Sequence, residues 1–143
     1  MKIDIREIPT FLLSPAVDTP KFSSRRSAVT GALQVAGFKS VTVVDGFWGP
    51  ADAVLACAYT HLLAIEQALT QTNPFRPFLI LEDDSLLDPE RPVVLDIPDD
   101  ADACWLGTTT TGAAFNAAQY VHHDHGTFYS DTSSPPWVRI YNM

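Results

Sequence analysis

Basic residues are scarce in this chain of 143 residues. Nine Lys and Arg stand against seventeen Asp and Glu, for a net charge of −8. That balance argues against a broad nucleic-acid surface, which needs clustered cations. Cysteine is almost absent. Cys57 and Cys104 lie inside apolar stretches, form no CxxC pair, and read as reduced core residues. No apolar run approaches the ~20 residues of a membrane span. The opening Met1-Lys2-Ile3-Asp4-Ile5-Arg6-Glu7 carries no apolar core of a secretory signal. P-loop, GxGxxG and Ser-His-Asp patterns are missing. With seven Gly and eleven Pro, the chain is not composed like a disordered one. At 46% hydrophobic residues it can fill one real core. The expectation is a single soluble, cytosolic, globular domain over residues 1–143.

The elements alternate. Thr10-Phe11-Leu12-Leu13 predicts a buried strand closed by Ser14-Pro15. A helix is expected from Ser23 or Ser24, where a serine can cap it. Ala28, Val29, Ala32, Leu33 and Ala36 recur at helical spacing, and Gly37 supplies the stop. The β-branched Val41-Thr42-Val43-Val44 predicts a second strand ending at Asp45-Gly46. Gly49-Pro50 opens a second helix running to about Thr70. Leu55, Tyr59, Leu62, Leu63, Ile65 and Leu69 supply its expected buried stripe, and Asn73-Pro74 ends it.

Phe78-Leu79-Ile80-Leu81 predicts a third strand, apolar on both faces and therefore central. Ala103 to Leu106 and Trp137 to Tyr141 predict two more, the latter after Pro135-Pro136. Strand–helix–strand–helix–strand order predicts an α/β fold with a mostly parallel sheet and right-handed crossovers. Ligands of such sheets sit beyond the carboxyl ends of the strands.

In that position the sequence sets three adjacent carboxylates, Glu82-Asp83-Asp84. Like charges this close repel unless solvent or a cation relieves them. Eleven acidic residues and one basic residue, Arg91, fall between Glu82 and Asp131. Hard oxygen donors suit Mg²⁺ or Mn²⁺. In an extended segment Glu82 and Asp84 share a side and could hold one cation, while Asp83 faces a sugar hydroxyl or a backbone N–H. A solvated acidic turn fits the spacing equally well. Arg25 and Arg26 suit a diphosphate, or solvent. Asp45 suits an Asx turn with Gly46. His61, on an apolar helix, reads more readily as a satisfied buried histidine than as a ligand. His122-His123-Asp124-His125 offers a distal metal ligand, a separate zinc site through His123 and His125, or a polar loop.

Leu81-Glu82-Asp83-Asp84 after an apolar strand resembles the LEDD motif of glycosyltransferase family 25, the lipooligosaccharide and collagen galactosyltransferases. Similar features stand in the same order from about Thr10 to Gly107. They are an opening strand, the arginines Arg25-Arg26, the strand ending Asp45-Gly46, the helical Cys57-Ala58-Tyr59-Thr60-His61, and Trp105-Leu106-Gly107. Thr60 stands where the family has Ser. The family's later Gly-Thr-His-Ala-Tyr type segment is not among these residues, so the expected match is the nucleotide-sugar half, shortened at its C-terminus.

The resemblance implies a GT-A-like, Rossmann-like fold and transfer of a hexose from a UDP-sugar to a glycan or protein acceptor hydroxyl. Glu82 and Asp84 would hold Mn²⁺ or Mg²⁺. Arg25, Arg26, Asp45, His61 and Asp83 would contact the nucleotide or sugar. Inverting chemistry through an unassigned carboxylate base is implied. A non-catalytic nucleotide- or partner-binding remnant and a hydrolase built on His122 to His125 are the alternatives.

Overall fold

The computed structural model describes residues 1–17, 19–49, 51–71, 76–87, 92–97, 99, 101, 103–105, 121–122, 127–129 and 139–142, with the backbone alone from residue 104 onward. The chain divides into two compact units, Ile3–Leu95 and Met1–Lys2 with Asp96–Met143.

The strands are β1 (Lys2–Asp4), β2 (Thr10–Pro15), β3 (Val41–Gly46), β4 (Leu79–Glu82), β5 (Val94–Asp96), β6 (Ala103–Trp105), β7 (Val121–His122), β8 (Thr127–Tyr129) and β9 (Arg139–Asn142). The helices are α1 (Pro20–Val35) and α2 (Ala53–Gln71). β2, β3 and β4 form a parallel sheet in the order β3-β2-β4. β1 pairs with β5. In the other unit, β6-β9-β8-β7 forms a four-stranded sheet, parallel at β6–β9 and antiparallel elsewhere. The expected α/β class with parallel strands is therefore present.

The centre of the parallel sheet differs from expectation. Among the described residues β2 is central and β4 lies at an edge. Both strands read as apolar runs, so composition does not rank them. The register does: Thr10 to Leu13 pair with β3 on one side and β4 on the other. The first crossover steps from β2 to one side and the second returns past it to the other. Right-handed crossovers then place α1 and α2 on opposite faces. The packing agrees. Leu12 meets Val29 and Leu33 of α1. Phe11, Leu13 and Val44 meet Ala64 and Ala68 of α2. Alternate residues of one strand thus fill two cores. Fully burying each large side chain contributes about 1.5–3 kcal/mol.

α1 begins at Pro20, three residues before the expected Ser23. Thr19 is its N-cap and accepts from the Phe22 N–H at 3.5 Å, with Pro20 in the first turn. Proline suits that position because its missing N–H would be unpaired there anyway. Phe22, Val29 and Leu33 are its buried residues, while Ala28 and Ala32 face out. Gly37 stops the helix as expected, at φ +86°. The Phe38 N–H reaches Leu33 O at 3.0 Å and the Gly37 N–H reaches Gln34 O at 3.1 Å, which satisfies two terminal carbonyls.

α2 reverses the expected stripe. Thr60, Ala64 and Ala68 are its buried residues. Leu55, Tyr59, Leu62, Ile65 and Leu69 are exposed, and Leu63 is half-buried. The helix is apolar at so many positions that periodicity alone does not select a face. Close approach to the sheet does, and only small side chains fit there. Cys57 is exposed as well, contrary to its reading as a core residue. By length and composition this helix is long and apolar enough to cross a membrane. The sequence shows no unbroken run, because Thr60, His61, Glu66 and Gln67 interrupt it.

Pro50, Asn73-Pro74, Pro135-Pro136, Leu106-Gly107 and Trp137-Val138 lie outside the described residues.

Candidate functional site

Three parallel strands end together at Ser14-Pro15, Asp45-Gly46 and Glu82. Neighbouring β2 and β4 mark the point where the strand order reverses, the usual ligand crevice of an open α/β sheet. α1 starts beside these ends and brings two adjacent arginines to them.

Arg26 reaches back over β2. Its Nε donates to Ser14 Oγ at 3.1 Å and its Nη2 to Pro15 O at 2.7 Å. Its Nη1 lies 3.8 Å from Asp45 Oδ1 on β3. Arg25 faces the other neighbour, with Nη1 3.7 Å from Asp83 Oδ1 and Nη2 3.6 Å from Asp84 Oδ2. Ser14 is buried and donates from Oγ to Asp83 Oδ2 at 2.9 Å. The result is a relay, Arg26 to Ser14 to Asp83, that ties α1, β2 and the end of β4 together. A cleft of about 120 Å³ beside it is lined by Ala16, Val17, Ser23 and Arg26. That is below the ~300–1,000 Å³ of ordinary ligand pockets, on the scale of a phosphate group rather than a nucleotide.

The acidic triplet is split. Glu82 is the last residue of β4, and a turn follows in which the Ser85 N–H bonds Glu82 O at 3.0 Å. Strand alternation therefore stops at Glu82 and does not carry Asp84 to the same side. Glu82 meets α2, with Oε1 3.1 Å from His61 Nε2 and 4.0 Å from Cys57 Sγ. Asp83 is buried against Ser14, while Asp84 is about half exposed beside Arg25. His61 is one-third exposed rather than enclosed. Asp45 sits inside β3, opposite Ser14, instead of in a turn.

Sequence reading overlooked Ser14 and gave Cys57 no role at a site. A serine closing an otherwise apolar strand was the available signal for the first. The i, i+4 spacing of Cys57 and His61 was the signal for the second. His122 lies in β7, and His123, Asp124 and His125 lie outside the described residues.

The exposed Cys57 thiol is pushed up from the ordinary value, first by partial desolvation against its neighbours and then by the charges of Glu82 and Asp84. Its thiolate fraction at neutral pH is correspondingly low. In a Cys104→Ser background, alkylation of Cys57 by iodoacetamide at pH 7.5 is expected to be slower than that of free cysteine. Glu82→Gln should accelerate it by removing one repelling charge. Mass-spectrometric rates check this, and an unchanged rate in Glu82→Gln would remove Glu82 as a cause.

No protein-family model, curated protein or solved structure matches the chain.

Proposed function

We propose that the chain is a divalent-metal-dependent, cytosolic glycosyltransferase of GT-A-like fold, using a UDP-sugar donor and a glycan or protein acceptor. One observation carries the reading: Arg25, Arg26, Asp45, Asp83 and Asp84 converge at the carboxyl ends of three parallel strands. The resemblance of Leu81 to Asp84 to the LEDD motif of glycosyltransferase family 25 supplies the choice of substrate class.

The electrostatics make the metal necessary to this reading. Both arginines stand within 4 Å of carboxylates. A diphosphate arriving alone would meet cations that are already neutralised, and carboxylates that repel it. A cation held beside Asp84 would change that balance. Such a cation would neutralise carboxylate charge and leave the Arg25 and Arg26 guanidinium groups for phosphate oxygens. In transfer it would act as a Lewis acid on the departing UDP.

Calorimetry should accordingly show UDP binding in Mn²⁺ that is lost in EDTA. Asp84→Asn should lose most of the Mn²⁺–UDP thermal shift of the wild type. Its own stability should stay within about 0.5 kcal/mol, because an exposed ion pair contributes little. Equal UDP affinity in EDTA would sink the metal role. UDP release from UDP-hexoses in the presence of acceptor separates an enzyme from a binding remnant that gives binding without turnover.

A further inference from the structure

We propose that Cys57, His61 and Glu82 form a Zn²⁺ site on the α2 side of the sheet. Their donor atoms, one sulfur, one nitrogen and one oxygen, all lie within 4.8 Å of one another. Cys57 and His61 are four residues apart on α2, so they stack on one face of the helix. Glu82 comes from the end of β4. Its backbone is held by the turn in which the Glu82 N–H bonds Ser85 Oγ at 3.2 Å and the Ser85 N–H bonds Glu82 O at 3.0 Å. Two elements thus converge on one point.

The distances fit the ion. Zinc bond lengths of about 2.0–2.3 Å place neighbouring tetrahedral donors about 3.3–3.7 Å apart. His61 Nε2 and Glu82 Oε1 are 3.1 Å apart, and Cys57 Sγ and Glu82 Oε1 are 4.0 Å apart. The Cys57–His61 edge is at most 4.8 Å, so rotation of these side chains closes the triangle.

The donor set selects the class of metal. Thiolate and imidazole favour Zn²⁺ and its spectroscopic substitute Co²⁺ over Mg²⁺ and Mn²⁺. Three protein ligands leave a fourth position for water or an exogenous ligand, the arrangement of an open zinc site rather than a closed structural one. Cys57 and Glu82 are exposed and His61 is one-third exposed, so an ion can reach them from solvent. Zinc binding here needs no nucleotide and stands apart from the transferase reading. Glu82 and His61 are the side chains the two readings share.

The test is Co²⁺ titration of the whole protein, followed by displacement with Zn²⁺. One equivalent should produce visible tetrahedral bands and a near-ultraviolet thiolate-to-cobalt band. Cys57→Ser should abolish the thiolate band and Cys104→Ser should keep it. His61→Ala and Glu82→Gln should each weaken binding at least tenfold, with circular dichroism confirming that the variants fold. A second reading needs no ligand variant: in Cys104→Ser protein, one equivalent of Zn²⁺ should slow iodoacetamide alkylation of Cys57 at least tenfold. Absence of the thiolate band, its survival in Cys57→Ser, unchanged affinity in His61→Ala and Glu82→Gln, or unprotected Cys57 would each overturn the site. None of these readouts involves UDP, so failure here leaves the transferase reading standing, and the reverse.

Discussion

Gly46→Ala is expected to destabilise the protein by about 1–3 kcal/mol, the usual cost of forcing atoms into a filled core. A methyl group at this position would lie 2.7 Å from Thr60 Cγ2, 2.9 Å from Thr60 Oγ1 and 3.2 Å from the Ser14 carbonyl oxygen. Backbone dihedral freedom is not the reason, since Gly37 is the glycine with positive φ among the described residues. Space is. α2 lies so close to the end of β3 that Thr60 Oγ1 accepts the Phe47 N–H at 3.0 Å while donating to Ala56 O at 2.8 Å. The helix would have to lift, and Ala64 and Ala68 would lift with it from Phe11, Leu13 and Val44. For a domain of about 60–100 residues each kcal/mol lowers Tm by roughly 4–8 °C. Thr60→Ala should cost about 1 kcal/mol by itself through the lost hydrogen bond. In the double variant the clash with Thr60 is gone, so the two costs should fall short of additivity by more than about 0.5 kcal/mol. Strict additivity in thermal or urea unfolding would mean that Thr60 is not what excludes a side chain at Gly46.

Asp83→Ala is the second large effect expected, at about 1–3 kcal/mol. Its carboxylate is buried and accepts from Ser14 Oγ at 2.9 Å, and Ser14 is itself buried. Truncation leaves the Ser14 hydroxyl without its acceptor in a place water does not reach. Arg25 also loses one carboxylate partner, which matters less because its side chain is 38% exposed. Asp83→Asn keeps an acceptor oxygen and should cost less than Asp83→Ala. Asp84→Ala, one residue further and exposed, should stay within about 0.5 kcal/mol. Removing both hydrogen-bond partners in Ser14→Ala/Asp83→Ala should restore part of the loss, since no buried hydroxyl is then left unpaired and the Arg26 Nε that loses its Ser14 acceptor is on a side chain one-third exposed to solvent. Equal effects of Asp83→Ala and Asp84→Ala in urea unfolding would show that the buried relay contributes nothing.

Several features were legible because a local rule governs them. Gly37 stops α1 through its own φ. Thr10 to Leu13 and Val41 to Val44 form strands because apolar and β-branched runs bounded by Ser-Pro and Asp-Gly have few other options. Thr19-Pro20 was an equally local signal for the start of α1, but the serines at 23 and 24 drew the boundary inward. The acidic end of β4 and the two arginines of α1 could also be marked from residue type and position in an α/β pattern.

What the sequence determined by itself, then, was the order and type of the main elements of the Ile3–Leu95 unit and the charged groups at their ends. Those follow from propensities, breakers and periodicities acting over a few residues. Tertiary structure alone decided the rest. It made β2 rather than β4 the centre, because pairing partners are distant in sequence. It turned Thr60, Ala64 and Ala68 of α2 inward, because the approach of Gly46 leaves room only for small side chains. It also sent Glu82 toward His61 and Cys57, and Asp83 and Asp84 toward Arg25. Three consecutive carboxylates look alike in a sequence; a strand end, a turn and two helices on opposite faces of a sheet give each a different neighbour.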